Sequence, residues 1–153
     1  MATLDADISV LNHIATILTD AQRLYHRAAR LAADDRDAVN RIELTLGERS
    51  MLLSTIQDRV QKLGEAPKAS GTMFGAAQMA FFDVRSVFDR DAKAALADVS
   101  RGENYLREEL RKAIRRNDVS AETRAFLGVA LDRVTSGEMR ITGKREEIER
   151  RAQ

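Results

Sequence analysis

Residues 36–67 read RDAVNRIELTLGERSMLLSTIQDRVQKLGEAP, and this stretch decides the fold. Its apolar residues recur every three or four positions, which is the period of one face of an α-helix. The pattern stops at Gly64, with Pro67 close behind, and a glycine followed by a proline typically ends a helix. A long helix with one buried face predicts a bundle in which such helices pack side by side.

The same period predicts three more long helices outside this stretch. We expect the four helices at about 5–33, 36–63, 91–116 and 120–150. The residues Asp34 to Asp37 leave only a short turn between the first two helices, which are therefore antiparallel. Ser120 is expected to begin the fourth helix as its N-cap. A shorter amphipathic pattern at about 73–88 predicts that the long crossover after Gly64 carries a small extra helix.

Four helices with a long second connection correspond to the ferritin-like arrangement. We therefore expect one all-α domain over residues 1–153, folded as a ferritin-like four-helix bundle whose crossover joins helices 2 and 3. The composition agrees with this, because the 153 residues include one proline and no tryptophan. The chain has no cysteine, which excludes disulfide scaffolds, thiolate zinc sites and cysteine nucleophiles.

The charges give no sign of a polyanionic partner. Lysine and arginine number 25 against 24 acidic residues, for a net charge of +1. Basic residues cluster at 111–116, which suits a helix C-terminus, and at 144–151, where interleaved glutamates predict a solvated face. We therefore expect no nucleic-acid binding. With no apolar run long enough for a membrane span and no signal peptide at the start, we expect a cytoplasmic protein.

Three glutamates lie at one depth of the predicted bundle. Glu48, Glu103 and Glu138 are each about twelve residues from the same end of the bundle, and each follows a glycine. A glycine inside a helix costs roughly 1 kcal/mol relative to alanine, so three at one level indicate room for polar side chains or a close backbone approach. On the first helix this depth falls near Ala21, beside Asp20.

A rotation of about 100° per residue shows which of these side chains face inward. Glu103 lies on the interior row of the third helix, the line of positions that faces the bundle centre, and Glu138 lies beside that row on the fourth. On the second helix the interior row passes through Arg49, whereas Glu48 points away. We predict that Arg49, Glu103 and Glu138 form a buried group of polar side chains, in which an Arg49–Glu103 ion pair fixes the helix register.

A carboxylate metal site is the alternative interpretation of the same glutamates. Ferritin-like di-iron proteins carry a glutamate on each of two helices and Glu-x-x-His on the other two. Here Met51 and Ile141 replace those histidines, and Arg49 would place a positive charge against a bound cation. We therefore expect no metal cofactor and no enzymatic activity. The alternative is a degenerate iron or manganese site, with the ligands Glu103, Glu138, Glu48 and Asp20.

Two apolar residues point away from the interior of the second helix. Leu44 and Met51 lie opposite its interior row, so we expect either the crossover helix or a second subunit to cover them. The predicted partners are a second copy of the chain, as a homodimer, or another protein. The sequence therefore predicts a structural or protein-interaction role.

Short motifs along the chain carry a resemblance to a known family. They are Tyr25, Glu48-Arg49, the turn from Leu63-Gly64 to Pro67, Ser70-Gly71-Thr72 and Arg101-Gly102-Glu103. In these features most of the chain resembles a bacterial ferritin-like four-helix-bundle family filed as domain of unknown function 2383. The chain departs from the family pattern at Gln78-Met79, Phe81 and Asn104, where a His-Arg pair, a tryptophan and an aspartate are usual. Because that family has no established activity, the resemblance implies a fold and a bacterial origin, but no chemistry.

Overall fold

The computed structural model describes residues 2–65 and 92–153, which form five α-helices. These are α1 (Ala2–Leu31), α2 (Arg36–Lys62), α3 (Ala92–Ile114), α4 (Ala121–Ser136) and α5 (Glu138–Arg151). The predicted crossover helix at about 73–88 lies outside the described residues.

The helix ends follow from residues that favour such positions. Asp35 caps α2, and its side chain accepts a hydrogen bond from the N–H of Ala38. Ser120 caps α4, and its hydroxyl accepts from the N–H of Thr123. Gly64, just after α2, has a φ of 96°, in the left-handed region that favours glycine. The end of α2 and the start of α4 therefore lie where the sequence predicts them.

The fourth predicted helix, at about 120–150, is two helices in the structure. Gly137 separates α4 from α5, and the N–H of Arg140 donates to its carbonyl, three residues back rather than four. A Cβ on Gly137 would lie 3.5 Å from Oε2 of Glu48 and 3.7 Å from Nη2 of Arg49. The prediction of one continuous helix is therefore wrong at Gly137, because the backbone tightens there next to polar groups of α2.

The packing order of the helices gives the bundle its topology. α1 packs against α2 and α3, and α3 packs against α4 and α5. Tyr25 of α1 contacts Glu103 of α3, whereas His13, earlier in α1, lies 3.6 Å from Glu109, later in α3. α1 is therefore antiparallel to α3 as well as to α2, so α2 and α3 run in the same direction. The end of α2 and the start of α3 consequently lie at opposite ends of the bundle, as a long crossover requires.

The core consists of two apolar clusters separated along the bundle axis. On α1 the first cluster extends to Leu18, and the second begins at Ala21. The boundaries on the other helices fall between Leu46 and Leu53 of α2, Val99 and Leu106 of α3, and Val134 and Ile141 of α4 and α5. A polar level therefore crosses the whole bundle at the depth where the sequence places its three glutamates.

Asp7 of α1 holds the start of α4. Its carboxylate accepts hydrogen bonds from the N–H and the hydroxyl of Ser120, at 2.8 and 2.6 Å, and from the hydroxyl of Thr123, at 2.9 Å. Burial alone would raise the pKa of Asp7, but these hydrogen bonds outweigh it and lower the pKa. The first helix thus contributes an anion to the N-terminus of the fourth.

Lys144 of α5 is buried, and its ammonium group ties α5 to the start of α2. It lies 3.1 Å from Asp37, 3.5 Å from Asp35 and 3.6 Å from Glu147. Burial tends to lower the pKa of Lys144, but the hydrogen bond to Asp37 and the nearby negative charges raise it overall. The prediction of a fully solvated face at 144–151 is therefore wrong at this residue, because three carboxylates replace its water.

Candidate functional site

Three buried side chains from three different helices bond to one another at the polar level that separates the two apolar clusters. They are Tyr25 from α1, Arg49 from α2 and Glu103 from α3, and we name these three side chains the polar layer. Their exposed fractions are 0%, 2% and 3%. Because Arg49 and Glu103 occupy interior rows between apolar residues, the same helical period that buries the leucines also buries these charges.

Glu103 is the acceptor for both of its partners in the polar layer. Nε of Arg49 lies 3.1 Å from each carboxylate oxygen, and Nη2 lies 2.7 Å from Oε1. The hydroxyl of Tyr25 donates to Oε2 at 2.7 Å. The structure thus brings Arg49 and Glu103 together as a charge-assisted pair, and a tyrosine supplies a further hydrogen bond to the carboxylate.

The environment fixes the protonation states of Tyr25 and Arg49. Burial, together with the negative charge of Glu103, raises the pKa of Tyr25 well above its ordinary value. For Arg49, burial acts to lower the pKa, but the hydrogen bonds and charge of Glu103 outweigh it and raise the pKa overall. Tyr25 therefore stays a neutral donor and Arg49 a cation at neutral pH.

Gly102 makes room for the tyrosine of this layer. A Cβ on Gly102 would lie 2.9 Å from the hydroxyl oxygen of Tyr25 and 3.0 Å from its Cε1. A Cβ on Gly137 would make ordinary contacts with Glu48 and Arg49, whereas a Cβ on Gly47 would meet no atom of the described residues within 4 Å. Of the three glycines at this level, Gly102 is the one that the close packing requires.

Glu138 and Glu48 lie outside the polar layer. The side chain of Glu138 is 42% exposed, and Nη2 of Arg107 lies 3.3 Å from it. Glu138 is thus at the edge of the bundle rather than buried as predicted, because it begins α5 directly after the interruption at Gly137. Glu48 accepts hydrogen bonds from Arg140 at 2.8 and 3.1 Å, which lower the pKa of Glu48.

Asp20 lies apart from these glutamates on α1. It is buried, and neither of its oxygens accepts a hydrogen bond within residues 2–65 and 92–153. Nη1 of Arg23 lies 4.0 Å from Oδ1. Burial raises the pKa of Asp20 despite the charge of Arg23. The structure therefore does not bring Asp20 into the polar layer.

The carboxylates of the alternative metal site do not converge in this structure. Each faces an arginine of its own, in the pairs Glu103–Arg49, Glu138–Arg107, Glu48–Arg140 and Asp20–Arg23. No group of three or more histidine, aspartate or glutamate side chains that could hold a metal ion occurs in the described part of the chain. These residues do not fit a metal at the bundle centre, because the guanidinium of Arg49 already occupies the cation position beside Glu103.

Sequence reasoning missed three residues that complete these interactions. Tyr25, Arg107 and Arg140 respectively donate to Glu103, Glu138 and Glu48. A signal for Tyr25 exists in the sequence, because it lies on the interior row of α1 and a helical glycine precedes Glu103. No comparable signal marks Arg107 or Arg140, since arginines at helical spacing usually lie in solvent.

Comparison with known proteins relates this fold to a family. The family model described as "Domain of unknown function (DUF2383)" matches residues 6–116. The structure is similar to that of a mutant of Dps1 from Mycobacterium smegmatis, with a TM-score of 0.79 and 16% sequence identity, over 94% of this chain and 97% of that chain. At this identity the likeness concerns the fold alone, and it confirms the predicted ferritin-like four-helix bundle. Curated protein sequences gave no match.

Among the residues that the structure describes, no helix combines the length and the apolar character needed to span a membrane.

Proposed function

Because the chain belongs to the DUF2383 family, a domain of unknown function, we propose that it is a non-catalytic ferritin-like protein with a structural or protein-interaction role in the cytoplasm. The observation that carries this proposal is the self-neutralised polar layer. Where a ferritin-like bundle could hold metal ligands, this chain pairs Glu103 with Arg49 and Tyr25.

The chemistry of the polar layer supports a structural role. A general acid, a general base or a nucleophile must reach a substrate and change its protonation or bonding state. In the polar layer the carboxylate is saturated with hydrogen bonds, the tyrosine is held neutral and the arginine is held charged. Such a group fixes the relative positions of three helices. A shift between α2 and α3 would leave a buried charge unpaired, and a shift of α1 would leave the hydroxyl of Tyr25 without its acceptor.

The distribution of exposed apolar side chains supports the protein-interaction role. Among the described residues, four of the five large apolar side chains that are exposed lie on α2, α4 and α5; these are Leu44, Met51, Val129 and Met139. Leu44 is 60% exposed on the outer face of α2. Leu44 and Met51 are seven residues apart on one face of α2, and exposed apolar residues on one face of a helix are typical of an interaction surface. We propose that this face, at Leu44, contacts a second copy of the chain or another protein.

The first test concerns metal. Protein purified without chelators and without a histidine tag is expected to bind Fe²⁺ and Mn²⁺ weakly and to show no ferroxidase activity, because Arg49 opposes a cation beside Glu103. Elemental analysis after dialysis measures this. The variant Arg49→Met is the informative comparison, since only removal of the arginine could allow Glu103 to bind a cation. Retention of iron by the wild-type protein after dialysis would overturn the non-catalytic proposal in favour of the degenerate metal site.

The second test concerns self-association. Sedimentation equilibrium should show a concentration-dependent dimer, and Leu44→Glu should shift it to monomer because a charge would be buried in the contact. Leu4→Glu, which changes an exposed leucine of α1 (41% exposed), is the matched control and should leave the dimer intact. A wild-type chain that stays monomeric at every concentration would eliminate the second copy and leave another protein as the partner.

A further inference from the structure

A groove of about 440 Å³ lies between α2 and α4, which make few direct contacts with each other. Its apolar walls are formed by Met51, Leu52, Phe126, Val129 and Ala130. Small-molecule sites commonly have volumes of roughly 300–1,000 Å³, with mostly apolar walls and a few polar groups at one end. The groove has both properties.

The polar end of the groove is formed by Glu48, Arg49, Arg133 and Arg140. Two of these arginines are balanced, since Glu103 pairs with Arg49 and Glu48 with Arg140. Arg133 is exposed and has no ion pair within residues 2–65 and 92–153. This end of the groove therefore carries one positive charge in excess.

Arg49 adds a donor from the buried side of the groove. The residue is 98% buried, and Nε and Nη2 are used by Glu103. Within residues 2–65 and 92–153 its third nitrogen, Nη1, makes no hydrogen bond, and the nearest carboxylate oxygen there, Oε2 of Glu48, lies 3.9 Å away. A buried guanidinium that lines a groove and retains an unused N–H favours a ligand with a hydrogen-bond acceptor there.

We propose that this groove binds a small amphiphile with a carboxylate head group and a medium-length alkyl tail. The carboxylate would pair with Arg133 and accept from Nη1 of Arg49, in the charge-assisted geometry that guanidinium groups favour. The tail would lie between Met51, Phe126 and Val129, where it removes apolar surface from water.

The shape and polarity of the groove favour this class over others. The α4 wall from Phe126 to Ser136 extends about 15 Å, at 1.5 Å of rise per residue, which suits an extended alkyl chain. A wholly apolar ligand would leave Nη1 of Arg49 without an acceptor. A polyanion would meet the carboxylate of Glu48 at the same end.

The ε-methyl groups of the methionines provide a direct test. Met51 lines the groove, whereas Met139 is exposed on α5 outside it, so protein labelled with ¹³C at the methionine methyls reports binding and contains its own control. Octanoate is expected to shift the Met51 signal saturably, as one site per chain, and to leave the Met139 signal in place. Octanol and octyltrimethylammonium, which share the tail, are expected to bind at least about tenfold more weakly, as the loss of one good charged contact implies.

Two variants separate the head-group contact from the tail contact. Arg133→Gln should weaken octanoate about tenfold while leaving octanol unchanged. Val129→Glu should abolish octanoate binding by placing a charge in the apolar wall. Arg115→Gln, which changes an exposed arginine that does not line the groove, is the matched control and should have no effect. Since these positions are exposed, all three variants should keep their melting temperature.

Three results would each overturn the proposal. They are equal affinity for octanoate and octanol, joint shifts of Met51 and Met139, and normal binding by Arg133→Gln.

Discussion

Replacement of Arg49 by methionine should lower the free energy of unfolding by about 3–5 kcal/mol, because Glu103 would be left as a buried charge without its cationic partner. In a chain of this size, such a loss corresponds to a fall in melting temperature of roughly 6–20 °C. Thermal and urea unfolding followed by circular dichroism measure both quantities. The prediction rests on the 2% exposure of Arg49 and on its three hydrogen bonds to Glu103.

A second substitution should restore most of this loss. Arg49→Met combined with Glu103→Leu removes both charges and fills their volume with apolar atoms, which is often neutral or stabilising. The hydroxyl of Tyr25 would then lack its acceptor, at a cost of about 1–3 kcal/mol, so the further change Tyr25→Phe should recover more stability.

Arg140→Met is the matched control, because it breaks an ion pair at the edge of the bundle and should cost at most about 1 kcal/mol. If Arg49→Met melts within about two degrees of the wild type, the buried pair does not hold the bundle together.

Gly102→Ala should destabilise the protein by about 1–3 kcal/mol, although alanine is the better helix former. The added methyl group would meet the hydroxyl oxygen of Tyr25 at 2.9 Å and its Cε1 at 3.0 Å. The ring cannot move away without lengthening its 2.7 Å hydrogen bond to Glu103. Urea unfolding at neutral pH measures the change, and Tyr25→Phe in the same chain should reduce the loss by removing the clashing oxygen.

Gly47→Ala is the matched control for this substitution. Gly47 and Gly102 both precede a glutamate inside a helix at the polar level, but among the residues that the structure describes none lies within 4 Å of a Cβ on Gly47. Gly47→Ala should therefore stabilise the protein by about 0.5–1 kcal/mol, since only the helix propensity changes. A gain of stability in both variants would show that Tyr25 is free to withdraw from Gly102.

Local chemistry and helical period make much of the fold predictable from the sequence. Gly64 ends α2 because no other residue adopts its backbone conformation as readily, and Ser120 caps α4 because its hydroxyl satisfies an otherwise unpaired N–H. The period also places Arg49 and Glu103 on interior rows at one depth, which is where the structure has them. These features depend on the spacing of residues along a single helix, which can be counted directly in the sequence.

The remaining features depend on contacts between helices, which spacing alone does not give. A tyrosine on the interior row of α1 can pack only against apolar residues or can also donate to a buried polar group. For Tyr25 the contact with Glu103 decides between the two. Lys144 belongs to a segment rich in exposed charges and is buried because α2 presents Asp35 and Asp37 to it. Gly47, Gly102 and Gly128 remain inside continuous helices, so a glycine in the helical pattern does not by itself mark the interruption at Gly137 that leaves Glu138 at the edge.

The separation of the core into two apolar clusters affects how the bundle can open. α5 contributes Ile141 to the buried part of one cluster and nothing to the other, whose α4 members end at Val134. Detachment of α5 therefore uncovers apolar surface of the second cluster only and leaves the packing of the first cluster intact. A bundle with a continuous apolar core would not confine the loss in this way, so the polar level permits local opening at the C-terminal helix without unfolding of the first cluster.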